Sequence, residues 1–220
     1  MHFEILVEDS SGTSLLEHVM PKLIGPRDEP HTWRLHSYRG IGRIPKSLDK
    51  TPHVAQRLLL SKLPALLRGY VKTPGYDAII VICDTDARDC VEFLQELHDV
   101  AKQCGAEAIT MFRLAIEEIE AWYFGDRQAL LKAYPQAKKG VLDAYVQDSL
   151  CDTWERLADC VYPGGSRAVG KSGWPTAGDV KHEWADRIGP LMDPDLNRSP
   201  SFAKLRDGMR KRAAVVETAP

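Results

Sequence analysis

The stretch DAIIVIC, residues 77–83, constrains the fold more than any other part of the chain. It is short, rich in branched apolar side chains, preceded by Pro74-Gly75 and followed by Asp84, so it reads as a buried strand. The surroundings extend the pattern. Residues 2–7 (HFEILV) read as a first strand, apolar enough to be central, residues 32–38 (TWRLHSY) alternate as a second, and residues 107–116 (EAITMFRLAI) give a fourth, with a further helix expected to begin near Glu117. Between them fall helical patterns. One opens near Ser14, where Ser14-x-x-Glu17 fits a capping box after a turn at Asp9–Gly12. Its stripe is Leu15, Val19 and Leu23, and Pro21 is expected to kink or shorten it. A second covers 53–69, disturbed by Pro64. A third places Cys90, Leu94, Leu97, Ala101 and Cys104 on one face. Strands alternating with helices of this length need crossover connections. The expected class is therefore α/β, a Rossmann-like core with a mainly parallel sheet.

The alternation stops near Gly125. Residues 1–125 read as the α/β core and 126–220 as a mainly helical extension packed on it, with loops at Tyr162–Gly165 and Asp193–Pro200 and frayed residues at 214–220. The chain has 220 residues, 44% hydrophobic and 27% charged, which is ordinary for a soluble globular protein. Net charge is −2, so any surface for nucleic acid has to be local. No apolar run approaches the roughly 20 residues of a membrane span, and the acidic start MHFEILVEDSS is unlike a signal peptide. A cytoplasmic protein is expected. Five cysteines, with no CxxC pair, read as reduced and mostly buried thiols without a structural zinc.

Acidic residues follow the strands with some consistency. Glu8 follows the first, Asp84 and Asp86 the third, and Glu117, Glu118 and Glu120 the fourth. Sites in an open parallel sheet gather at those strand ends. Clustered carboxylates repel unless a cation offsets them. Oxygen-only ligands favour Mg²⁺ or Mn²⁺, and such an ion assists phosphoryl chemistry. Each residue alone has an ordinary explanation: Asp84 or Asp86 can cap the next helix, and Glu118 and Glu120 cannot share a face of a regular helix. For substrate phosphates the loop carrying Arg39, Arg43, Lys46 and Lys50 is the best candidate, with Arg88 just past the aspartates; a solvated loop and an Arg88–Asp84 or Arg88–Asp89 ion pair are the competing expectations. Lys171, Lys181, Lys204, Arg206, Arg210 and Arg212 are expected to be mostly solvated, and Trp122, Trp154, Trp174 and Trp184 to pack helices. The histidines show no zinc-binding spacing. Gly40-x-Gly42 and Gly170-Lys171-Ser172 match neither dinucleotide nor P-loop signatures.

The stretches Val7-Glu8-Asp9-Ser10-Ser11 and Ile80-Val81-Ile82-Cys83-Asp84-Thr85-Asp86 resemble the Toprim family of topoisomerases, primases and nuclease relatives. The chain departs from that pattern at Asp9, where many members carry Gly. A closer resemblance, over nearly the whole chain, is to the bacterial DUF4276 family, placed in the Toprim-like group; VEDSSGTSLLEHVMPKL, CDTDARDC, AIEEIEAWYFGD and SPSF (Ser199 to Phe202) carry it. It implies a Mg²⁺- or Mn²⁺-dependent, nuclease-like core, a role in phage defence and a possible partner ATPase. It also implies Glu8 as general acid/base and metal ligand, Asp84 and Asp86 as catalytic metal ligands, and Glu118 and Glu120 serving a second ion. The expected function is hydrolysis of nucleic-acid phosphodiesters. Two alternatives stay open: a non-catalytic module binding nucleic acid or an ATPase, and a DxD phosphatase, whose motif normally follows the first strand.

Overall fold

A computed structural model describes residues 1–49, 57–148, 152–171 and 174–214. Strands β1 (His2–Val7), β2 (Thr32–Ser37), β3 (Ala78–Asp84) and β4 (Thr110–Ala115) form one sheet of order β2-β1-β3-β4. All three pairings are parallel. Helices α1 (Ser10–Ile24), α2 (Leu59–Lys72) and α3 (Cys90–Gln103) connect them. The chain moves from β1 outward to β2, then back across β1 to β3. Crossovers of one hand running in opposite directions put their helices on opposite faces of the sheet.

The two cores follow from strand parity. Phe3, Ile5, Val7, Ile80 and Ile82 face α1, against Leu15, Leu16, Val19 and Leu23. Leu6, Ile79, Val81 and Cys83 face α2 and α3, against Leu59, Leu63, Phe93 and Leu97. After β4 come α4 (Ala121–Gly125), α5 (Arg127–Ala133), α6 (Lys139–Ala144), α7 (Thr153–Val161), α8 (Gly165–Lys171), α9 (Trp174–Ile188) and α10 (Pro200–Ala214). Their apolar side chains, among them Trp122, Leu157, Trp184 and Phe202, join the core on the α1 face. No helix among the described residues is long and apolar enough to cross a membrane.

Several boundaries differ from the sequence pattern, each for a local reason. Helix α1 starts at Ser10 because the Asp9 carboxylate caps it, accepting from the Gly12 amide at 2.7 Å. The expected capping box does not form: Glu17 pairs with Arg27. Pro21 lies inside α1, which continues to Ile24. Gly12 is required for packing, since a Cβ there would sit 2.8 Å from Val7 Cγ1 and 3.2 Å from Ile119 Cδ1. On α3 the buried stripe is Phe93, Leu97, Val100 and Ala101, leaving Cys90 exposed; Cys83, Cys104 and Cys160 are buried thiols. Residues 107–109 form a turn, so β4 is shorter than its apolar run. The expected second helix begins at Leu59, and its proposed start at residues 53–56 lies outside the described residues, as do Lys50, Cys151 and residues 215–220.

Candidate functional site

The crossover direction reverses at β1, so the carboxyl ends of β1 and β3 lie side by side at a topological switch point, where open α/β sheets collect ligands. Val7 is in register with Ile82, and Glu8 leaves β1 beside the end of β3. Its Oε2 accepts a long hydrogen bond, 3.3 Å, from the Asp84 amide. Neither Asp84 nor Asp86 caps the following helix. Asp89 does so, with one carboxylate oxygen accepting from the amides of Val91 and Glu92 at 2.9 Å each. The ordinary explanation for an Asp-x-Asp after a strand is therefore taken up by another residue.

The aspartate turn is fixed by the turn after β4. Thr85 donates its amide to the Ala115 carbonyl and Asp86 donates its own to the Glu117 carbonyl, both at 3.0 Å. In return the Glu117 amide donates to Thr85 Oγ1 at 2.6 Å. Asp86 and Glu117 both have left-handed backbones, φ 48° and 62°. Such a conformation costs on the order of 1 kcal/mol outside glycine, and the cross-bonds hold both residues in it.

Residues 117–120 thus form a turn and not the start of a helix, which changes what their side chains reach. Glu117 is structural: it accepts from the Thr153 amide at 2.7 Å and also from the Asp152 amide and the Thr153 hydroxyl, closing the start of α7. Glu118 accepts from the Trp154 amide at 3.0 Å. Off a regular helix, Glu118 and Glu120 converge after all, on the ammonium of Lys181, whose Nζ lies 3.2 Å from an oxygen of each.

Glu8, Asp84, Asp86, Glu118, Lys181 and Arg39 share the wall of one cavity of about 520 Å³. Its electrostatics are those of under-compensated carboxylates. Burial pushes the Glu8 carboxyl up to about 7, reinforced by Asp86 and Asp9 and opposed by the Asp84 amide and Arg88. Asp84 is held well above the ordinary carboxylate range by burial, then by Glu8, Glu120 and Asp9, with Lys181 opposing. Glu118 rises to about 8 through burial and Glu120, against Lys181 and the Trp154 amide.

The basic candidates separate. Arg39 lies on the cavity wall, while Arg43 is exposed and outside it. Lys46 borders a different cleft with Glu96 and Asp99. Arg88 pairs with Asp86 at 3.5 Å, a partner the sequence reading did not name, and stacks over Phe93. Of the C-terminal bases, Lys171 and Lys204 are exposed, Arg206 and Arg210 pair with Asp207 and Asp195, and Arg212 donates to the Thr110 carbonyl. Trp122 and Trp184 are core residues and Trp154 packs against that core; the side chain of Trp174 lies outside the described residues.

Sequence reasoning missed Lys181 and His182. Lys181, expected in solvent, is only 11% exposed. His182 lines the same cavity and hydrogen-bonds Ser10 Oγ and Ser14 Oγ at 2.9 Å each. Both come from α9, and no spacing in the sequence signals that this helix, packed on α1, borders the cavity. Among the described residues no three His, Cys, Asp or Glu side chains stand as a preformed metal cage. The donor set still fits a hard cation in its chemistry: Glu8, Asp84 and Asp86 offer only oxygens, and the burial and neighbouring carboxylates that raise the Glu8 and Asp84 carboxyls would be offset by a positive ion. The chain matches no protein-family model, no curated protein and no solved structure.

Proposed function

We propose that this cavity is a Mg²⁺- or Mn²⁺-dependent site for hydrolysing phosphodiester bonds of nucleic acid, in the manner of Toprim-like nucleases. The observation that carries the reading is convergence. Glu8 and the Asp84/Asp86 pair are 76 residues apart in sequence, going by the Glu8–Asp84 contact, yet they meet at the switch point with neither aspartate spent on a helix cap. Asp84 and Asp86 would be the principal metal ligands, with Glu8 beside them. The ion would supply charge neutralisation at the phosphoryl oxygens.

The residues of the chain supply the rest. Glu8, held near neutrality by burial, suits a general base that takes a proton from an attacking water at physiological pH. Arg39, on the open side of the cavity, is placed to meet a phosphate of the bound strand. Arg88 is turned toward Asp86, so its role is to balance that carboxylate.

Purified protein with Mn²⁺ should cleave labelled single- or double-stranded DNA or RNA. Glu8→Gln and Asp84→Asn should each lower the rate by at least about 100-fold while the fold, followed by circular dichroism, is kept. Wild-type protein that binds these strands but cleaves none of them with Mg²⁺ or Mn²⁺ would leave a binding module in place of an enzyme.

A further inference from the structure

Lys181 is unusual among the described lysines in being largely buried between two carboxylates. Its side chain is 11% exposed, and its partners Glu118 and Glu120 are 18% and 2% exposed. Burial alone would lower a lysine pKa. Here Glu120, Glu118, Asp84 and Asp9 outweigh burial and hold the ammonium charged. The same ammonium acts on Asp84, so the glutamate pair and the Glu8/Asp84/Asp86 group form one electrostatic unit.

The pairing is incomplete. Lys181 meets Oε1 of Glu120 and leaves Oε2 buried with no hydrogen-bond partner among the described residues. A single positive charge thus stands between two carboxylates, one of which keeps an unused oxygen inside the protein. Such a gap is costly to leave open. It is the coordination that a divalent ion, with more charge and more ligand positions, would complete.

We propose that the Lys181 ammonium occupies the position a second divalent cation would otherwise take between Glu118 and Glu120. On the proposed function, the cavity then works with one exchangeable ion, held by the Asp84/Asp86 side, and one built-in cation that cannot leave. Lys181 is a positioning residue: it fixes Glu118 and Glu120 and sets the charge felt by Asp84. Because α9 carries it, the helical C-terminal half completes the charge balance of the sheet-end site.

The test is an ion count. Free Mn²⁺ is measured by electron paramagnetic resonance during titration of the full chain, for wild type and Lys181→Met. The expected result is one more bound Mn²⁺ in Lys181→Met than in wild type, whether as two against one or as one against none, together with a rise in melting temperature on adding Mn²⁺ larger than in wild type. A folded Lys181→Met with an unchanged count overturns the proposal. If Lys181→Met fails to fold even with Mn²⁺, the pair Glu118→Gln/Glu120→Gln in the wild-type background decides. A count unaffected by that pair supports Lys181 as the resident cation, and the loss of an ion overturns it. The wild-type count tests the proposed function separately: no bound Mn²⁺ there removes the metal reading, while the gain in Lys181→Met still reports on Lys181.

Discussion

Glu4, inside β1, and Glu8, just past its end, show two ways of treating a buried carboxylate. Glu4 is 1% exposed, and its surroundings satisfy it. It meets His2 Nε2 at 3.0 Å, accepts from the Tyr70 hydroxyl at 3.3 Å and makes a close contact with His36 Nε2. His2 is itself fixed through Thr32 Oγ1 at 2.6 Å and through its amide to Asp77 at 2.6 Å. Glu8 has one long amide bond and is surrounded by Asp9, Asp84 and Asp86. The fold can solvate a carboxylate inside the sheet when the carboxylate serves the fold. Just past the end of the same strand, Glu8 lacks such partners, and on the proposed function a metal ion would relieve that imbalance.

The sharpest way to break this contrast is to compare stabilities. Glu4→Ala strips the acceptor from two imidazoles and a phenol and should cost about 3 kcal/mol, read from urea denaturation midpoints. Asp84→Asn removes the cost of burying an ionisable carboxyl in a crowded group and should leave stability unchanged or raise it by about 1 kcal/mol in metal-free buffer. Equal losses in the two variants would mean that the carboxylates at the strand end are as structural as Glu4. Glu4→Ala should also leave the number of bound Mn²⁺ ions untouched.

A smaller effect, of known sign, comes from pH. The Glu8 carboxyl titrates near 7 in the folded protein and at 4.5 ordinarily. Between those values the native state holds a proton that the unfolded chain has released. Stability from this group is therefore fully present below about pH 4.5 and lost as pH rises toward 7. Asp84 and Glu118, both raised, push the same way. The slope is at most about 1.4 kcal/mol per pH unit for each proton. Thermal melts of the metal-free protein should show this decline, Glu8→Gln should flatten it, and saturating Mn²⁺ should abolish it by favouring the ionised carboxylates. A slope unchanged in Glu8→Gln would assign the titration to other groups.

The Glu8 side of this contrast was legible in the sequence, because it rests on strand ends, whereas the partners of Glu4 were not. The apolar runs before Glu8 and Asp84 fix where each strand stops, and parallel order then aligns those stops. What the sequence concealed depends on backbone geometry and on distant helices. Asp9 read as part of a turn because its side chain caps a helix that starts earlier than the Ser14–Glu17 pattern implied. Glu117 to Glu120 read as helix because nothing local announces a left-handed residue at Glu117; only the Thr85 and Asp86 contacts across the sheet hold it there. Lys181 read as solvent-exposed because lysine usually is, and its burial depends on α9 docking beside residues about sixty positions earlier.

The smallest expected effect separates the arginines and lysine of one loop. The backbone ties the start of this loop to the end of β1, with Tyr38 donating its amide to the Val7 carbonyl and Gly40 to the Glu8 carbonyl, both at 3.0 Å. Arg39 lies between those two anchors, so its backbone position at the cavity is fixed by the sheet itself. Arg43 and Lys46 follow farther along, outside the cavity. If the strand's phosphates pass over the carboxylate cavity, Arg39→Ala should weaken binding a few-fold and lower the slope of log affinity against log salt by about 1, the signature of one lost phosphate contact. Arg43→Ala and Lys46→Ala should leave both affinity and slope near wild type, as measured by fluorescence anisotropy over a salt series. Equal effects at all three positions would mean that nucleic acid spreads along the whole loop, and that the carboxylate end of β1 does not direct where it sits.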